Sequence, residues 1–256
     1  MLPPRLSGLW SSALESNSNN IRNALLTALS PADRASLLPR LEFRDFAARQ
    51  LFEEPNRPVR FVYFMERGFA SVVLTAKGER GAEVGLIGRE GVSGLAVLMG
   101  NDRSPYATYA QTPGAAFRLA ANAMRDAMAA SPPMRRLLLN FAYSFMIQAA
   151  HTAVANVRGT IDQRLARWLL MAHDRVNGDN LPLSHELVSI MLGVRRAGVT
   201  VAVSALANRG LISRSRGNIM MVDRPGLERI AGSYYGAAEA EYRRIVESRP
   251  ARARSS

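Results

Sequence analysis

Residues 183–222 constrain the fold of this chain more than any other stretch. They begin Leu183-Ser184-His185-Glu186-Leu187-Val188-Ser189-Ile190-Met191-Leu192-Gly193-Val194-Arg195-Arg196 and continue through Val199, Ala202, Leu206 and Gly210. The Ser184 hydroxyl suits the N-cap of a helix of about two turns, where it accepts from a first-turn N–H. Gly193 supplies a tight turn, because glycine takes a left-handed backbone at little cost. A second helix is expected over 195–208, with Gly210 just beyond it as a stop. Val188, Leu192, Val194, Val199 and Ala202, with the small Ser189, allow the two helices to cross closely around the turn. Leu211-Ile212-Ser213-Arg214 and Ile219-Met220-Met221-Val222 then flank a Gly217-Asn218 turn and read as a β-hairpin. A helical hairpin beside a solvated β-turn would share this apolar spacing. The turn glycine, the arginines opening the second helix and the basic hairpin tip favour a winged helix-turn-helix instead.

In that motif the start of the second helix enters the major groove of DNA. Arg195, Arg196 and Thr200 are therefore the candidates for base edges, Arg214 and Arg216 for phosphates, and Ser184 for a contact at the first helix. Charge agrees with this placement. The chain carries a formal net charge of +12, with Lys77 its single lysine. Residues 183–224 hold six arginines against two acids. An arginine-rich composition would raise the total anywhere, but a basic excess centred on a groove-reading element points to nucleic acid.

Several chemistries are excluded. The 256 residues contain no cysteine, which removes disulfides, cysteine zinc sites and cysteine-ligated iron–sulfur clusters. His151, His173 and His185 are far apart in the chain, with no carboxylates at metal-ligand spacing, so no cofactor is expected. Neither a Gly-x-Ser-x-Gly elbow nor a Walker loop occurs, and the glycines of 85–91 lack a surrounding βαβ unit, so no enzyme is expected. No apolar run approaches 18 residues without a charge, and Met1-Leu2-Pro3-Pro4-Arg5 lacks a signal-peptide pattern, so a cytoplasmic protein with no membrane partner is expected.

Ahead of the winged motif, residues 1–19 read as a mobile tail. Residues 21–29 have helical spacing, and Ser30-Pro31 opens a second short helix. From 41 to 119 the helical period gives way to strand-like runs, including Phe61-Val62-Tyr63-Phe64-Met65 and Ala70-Ser71-Val72-Val73-Leu74. Eight of the 19 glycines fall between Gly68 and Gly100, a density that marks repeated tight turns in a β roll. Ser131-Pro132-Pro133 caps a long helix expected to reach about 157. Its Leu137, Leu138, Leu139, Phe141, Phe145, Met146 and Ile147 occupy more than one face, so it needs two partners, the roll and a second subunit. Gly159-Thr160 is the hinge to a helix over 160–175.

Taken together, the β-rich stretch, the long helix, the Arg164-Leu165-Ala166-Arg167-Trp168-Leu169-Leu170 segment and the winged motif resemble the Crp/Fnr family of bacterial transcription regulators over residues 20–225. The resemblance implies an α+β chain with an N-terminal double-stranded β-helix (jelly roll), a dimerisation helix and a C-terminal winged helix-turn-helix. The expected divisions are a tail at 1–19, a cyclic-nucleotide-binding-like domain at 20–130, the dimerisation helix at 131–158, the DNA-binding domain at 159–232 and a C-terminal tail at 233–256, in which residues 234–245 are a candidate further helix. It further implies a homodimer on double-stranded DNA, contact with RNA polymerase and a small-molecule effector of unknown identity. The alternative is a ligand-sensing or protein-binding module whose winged domain docks a partner protein.

In cyclic-AMP-binding relatives, a cassette of backbone N–H groups and an arginine holds the phosphate. Gly91, Gly94, Arg103 and Ser104 match it as a candidate anion site. Val92 stands where those relatives carry the ribose-binding glutamate, and Ala149 and Ala150 stand where they offer hydroxyls to the base. Cyclic AMP is thus expected to bind weakly or not at all, with Gln148, His151 and Thr152 as candidate contacts to another effector or as polar residues fixing helix register. Aligned at Gly193, Arg196 matches a base-reading arginine of the cyclic-AMP receptor, while that protein's glutamate and second arginine become Ala197 and Val201.

Overall fold

Asn23 shows how the N-terminal segment is fastened to a β roll. Its carboxamide oxygen caps helix α1 (Ala24–Ala28), while its Nδ2 donates to the carbonyls of Met65 at 3.1 Å and Gly91 at 2.8 Å. The computed structural model describes residues 21–75 and 81–247; the expected tail at 1–19 and the Arg/Ser/Pro end beyond Glu247 lie outside the described residues. Helix α2 (Pro31–Leu37) is capped by Ser30 with proline in its first turn, as the sequence predicts.

Among the described residues, seven strands build the roll: β1 (Glu42–Phe46), β2 (Leu51–Glu53), β3 (Phe61–Arg67), β4 (Ala70–Leu74), β5 (Ala82–Ile87), β6 (Ala107–Ala110) and β7 (Gly114–Ala120). They pair antiparallel in two sheets, ordered β1-β7-β3 and β2-β6-β4-β5. Bulges at Met65/Arg67 and Val72/Val73 break the register of the longest pairings and so curl the sheets. Between β5 and β6 lies a single helical turn, α3 (Leu95–Leu98). Val62, Phe64, Met65, Ile87 and Leu119 fill the interior.

Helix α4 (Ala121–Ala130) leads into α5 (Pro132–Arg158), a helix of 27 residues capped by Ser131. Met134, Leu138, Phe141 and Phe145 of α5 are buried against the roll. Gly91 permits this approach, because a Cβ there would stand 2.3 Å from the Phe141 ring. The opposite face leaves Tyr143, Met146, Val154 and Val157 exposed, Val157 by 79%. The two apolar faces expected of this helix are both present. The expectation that no apolar run approaches 18 residues without a charge does not hold: residues 137–157 carry no Asp, Glu, Lys or Arg, and α5 is long and apolar enough over an 18-residue window to cross a membrane, with one face serving as core packing.

After the Gly159 break, α6 (Ile161–His173) begins with a reciprocal capping box of Thr160 and Gln163. The C-terminal domain follows as β8 (Asn180–Leu181), α7 (His185–Leu192), α8 (Arg196–Asn208), β9 (Ile212–Ser215), β10 (Asn218–Met221) and α9 (Arg224–Ala231), with sheet order β8-β10-β9. Its core extends to the roll: Phe69, Val73 and Leu86 share a cluster with Trp168, Met191 and Leu192.

Within the segment assigned to the C-terminal tail, the described residues 232–247 are mostly helical, and the further helix expected over 234–245 is present. A 3₁₀ turn (Gly232–Tyr234), α10 (Ala237–Tyr242) and a π-helical turn (Arg243–Glu247) return to the roll and α5. The Tyr242 hydroxyl donates to the Glu90 carbonyl at 2.8 Å, Asn140 Nδ2 donates to the Ile245 carbonyl at 3.0 Å, and Val246 enters the roll's core. Residues 233–247 are a strap, because Tyr242, Ile245 and Val246 at spacing 3, 1 give this amphipathic segment an apolar side to bury.

Candidate nucleic-acid interface

Ser184 Oγ accepts from Leu187 N at 3.2 Å and starts α7. Gly193, at φ +59°, ends it, and Val194 N closes the turn onto the Ser189 carbonyl at 3.0 Å. The axes of α7 and α8 meet there at 100°, within the range of the helix-turn-helix. Arg164 on α6 secures this geometry: its Nη2 donates to the Leu192 carbonyl and its Nε to Asn156 Oδ1 at 3.1 Å. In the sequence Arg164 stands out only as part of the 164–170 segment; a basic residue four positions after a helix cap carries no signal that it will cap a distant helix end.

Helix α8 turns Val199, Ala202, Val203 and Leu206 inward. Arg196, Ala197, Thr200 and Val201 face solvent, Val201 by 69%, and α8 contains no acidic residue. Arg195 is the extended N-cap residue, one position before the helix, with its side chain exposed. Thr200 Oγ1 donates to the Arg196 carbonyl at 3.1 Å. The expected reading residues thus share one exposed surface at the start of α8, and the exposed Val201 lies on the same helix.

The hairpin turns at Arg216-Gly217, one residue earlier than the expected Gly-Asn turn, because Ser215 pairs with Asn218. Arg216 is exposed at this tip. Arg214 Nη1 donates to Ser204 Oγ at 2.7 Å, which ties the wing to the recognition helix. Arg214 therefore lies along the edge of α8 rather than at the tip.

The candidate anion site is arranged differently. The Gly94 N–H, expected to face a phosphate, donates at 2.8 Å to Glu53 Oε1. Glu53 is buried, also bonds Thr108, and is pushed above the usual carboxylate range by desolvation. The Gly91 N–H donates to the Gly88 carbonyl, and the Gly91 carbonyl accepts from Asn23. Arg103 points to solvent and pairs with Asp102 at 3.1 Å, whereas Ser104 is buried and accepts from Tyr106 N. These residues do not converge on a shared anion position. Gln148 Oε1 accepts from Leu86 N at 2.7 Å and its Nε2 donates to the Leu86 carbonyl, so it fastens α5 to β5. Thr152 donates to the Gln148 carbonyl, and His151 is half-buried on the same helix.

A family model described as the Crp-like helix-turn-helix domain matches residues 163–230. Residues 163–230 are a Crp-like helix-turn-helix domain. The full architecture of roll, long helix and this Crp-like domain is the Crp/Fnr fold. FixK2 from Bradyrhizobium japonicum has it with a TM-score of 0.66 at 17% identity, covering 75% of this chain and 98% of that one. A CRP-family transcriptional regulator from Thermus thermophilus has it with a TM-score of 0.63 at 22% identity, covering 76% and 99%. A search of curated protein sequences finds no match. The Crp-like domain ends at the strap, which lies beyond the matched residues.

Proposed function

We propose that this chain is a sequence-specific, DNA-binding transcription regulator that acts as a homodimer in the cytoplasm and carries no catalytic site. The observation that carries this reading is the exposed start of α8, where Arg195, Arg196, Thr200 and Val201 stand together without an acid beside a wing tipped by Arg216. A guanidinium there bonds guanine O6 and N7 together, and the Val201 methyls suit a thymine methyl. Ser184, at the N-terminus of α7, and Arg214 and Arg216, on the wing, serve the phosphate backbone. A domain built to dock a protein would favour an apolar or charge-balanced face instead, which α8 does not offer.

Dimerisation uses the outer face of α5. Tyr143, Met146, Ala150, Val154 and Val157 follow one another at spacings of three and four, the pattern of a helix–helix seam. A two-fold axis there would present two recognition helices to two half-sites. Contact with RNA polymerase belongs to the same reading and is tested by whether the chain alters transcription from a promoter carrying its site. The direct test of function is selection of bound sites from random duplexes. Enrichment of an inverted repeat supports the reading; recovery of no sequence at any salt concentration rejects it.

A further inference from the structure

Glu83 is a buried carboxyl placed where the roll meets the DNA-binding domain. From β5, its Oε1 accepts from Trp168 Nε1 of α6 at 2.6 Å. Its Oε2 accepts from Ser71 Oγ of β4 at 2.6 Å, and Met191 Sδ of α7 lies 3.6 Å from the same hydroxyl. Phe69, Val73 and Leu86 of the roll close around this point in one apolar cluster with Trp168, Leu169, Met191 and Leu192. The contact therefore reaches α7, the helix from which the chain turns at Gly193 into α8.

Both donors to this carboxyl are neutral, and no cation is bonded to it among the described residues. The guanidinium groups that act on it from α6 and the following turn are bonded elsewhere. Arg167 donates from Nε to the Tyr234 carbonyl at 2.9 Å and from Nη2 to the Gln148 carbonyl at 3.4 Å, while Arg175 pairs with Glu90 at 2.7 Å. Strand β6 contributes Tyr109, which burial pushes up to about 12. Toward β5, α7 presents Met191 and Leu192 and α5 presents Phe145 and Gln148, none of which titrates. A carboxylate buried with neutral donors alone is costly to ionise in place, and one in contact with water is not. Burial accordingly outweighs the two arginines and pushes Glu83 up to about 8. Parting α6 and α7 from the roll would wet the group and return it toward 4.5. The docked arrangement thus keeps a proton that the parted one loses, and each pH unit between about 4.5 and about 8 weakens docking by about tenfold.

We propose that Glu83 is a proton-controlled latch between the roll and the DNA-binding domain: protonated, it holds α6 and α7 against the roll, and ionised, it lets them shift. The strap stays fastened to the roll through Tyr242 and to α5 through Asn140, so the change is one of placement and not a separation. Its consequence for DNA rests on the DNA-binding reading above. A domain held in one placement presents α8 to a half-site at a lower entropic cost than a loosened one, so duplex affinity falls as the latch opens.

The test uses the full chain carrying Trp10→Phe, which leaves Trp168 as its single tryptophan. Because the Trp168 indole is bonded to Glu83, its emission reports on the latch itself. As pH rises, the emission should move to longer wavelength with a midpoint between about 6 and about 8, while far-ultraviolet circular dichroism stays constant. Glu83→Gln keeps an acceptor for Trp168 and cannot ionise, so it should show no such transition. Infrared difference spectra of the parent should lose a protonated-carboxyl band at the same midpoint, a reading that needs no substitution at Glu83 should the variant fail to fold. Duplex affinity should fall at least about threefold across the transition in the parent and stay level in Glu83→Gln. A constant emission, the same shift in Glu83→Gln, no loss of the carboxyl band, or a shift accompanied by loss of circular dichroism would each overturn the proposal, the last because the whole chain then unfolds. An unaltered duplex affinity across a completed emission shift would overturn it as well. If the parent binds no duplex at any pH, the DNA-binding reading fails instead, and the emission and infrared arms still decide the latch.

Discussion

Arg196 and Arg216 occupy different parts of the proposed interface and should fail differently when removed. Arg196 stands in the first turn of α8, facing outward, so Arg196→Ala should cost about 1–3 kcal/mol on the preferred duplex and relax preference at one base pair in each half-site. Arg216 stands at the wing tip, so Arg216→Ala should weaken all duplexes alike and make the salt dependence shallower. Binding titrations on preferred and scrambled duplexes at several salt concentrations separate the two. Equal weakening of both duplexes by Arg196→Ala would make Arg196 a phosphate anchor. The cassette in the roll should stay silent toward cyclic AMP: calorimetry is expected to show no micromolar binding, because the Gly94 N–H is already bonded to Glu53 and Arg103 to Asp102.

At the scale of elements, α5 separates packing from assembly. Phe141 and Phe145 were natural candidates for a dimer contact from their apolar character, but both are packed against the roll. Phe141→Ala should destabilise the monomer by about 3–5 kcal/mol, seen as an earlier midpoint in denaturant. Met146→Asp and Val154→Asp should leave the fold intact and give monomers by light scattering, since both side chains are exposed. The caps, turns and strands of this chain were legible in the sequence because each rests on local chemistry: Ser30, Ser131 and Ser184 all cap as expected, and Gly193 is left-handed. What could not be read was long-range. Glu53 lies 41 positions from the N–H it occupies, Gln148 lies 62 from Leu86, and Tyr242 lies 152 from Glu90. No periodicity encodes such pairings, so a cassette matched by residue type is differently wired, and the helix expected over 234–245 gave no sign that it docks on the roll and α5.

Across the whole molecule, the roll and the Crp-like domain meet around one buried carboxyl. Glu83 on β5 accepts from Trp168 Nε1 on α6 at 2.6 Å and from Ser71 Oγ on β4 at 2.6 Å, and burial pushes it up to about 8. Arg167 and Arg175 of α6 and the following turn and Tyr109 of β6 are the charged and titratable groups coupled to it. Its folded pKa is raised, so the folded state keeps a proton that the unfolded chain loses above about 4.5. Stability from this group is full below about 4.5 and falls as pH rises to about 8. Glu83→Gln keeps an acceptor for Trp168 and should flatten the decline of melting temperature between those values; an unchanged decline would show that another group sets it. In the proposed homodimer, domain docking would place two recognition helices, one per subunit, relative to the α5 seam. The measurement that tests the account most directly is therefore selection of duplexes from a random pool by the parent chain, followed by titration of the winning site. An inverted repeat with half-sites about one helical turn apart, bound at least about a thousandfold more tightly than scrambled duplex, is the predicted result. Binding that is equally tight to every duplex, or no binding at low salt, would contradict it.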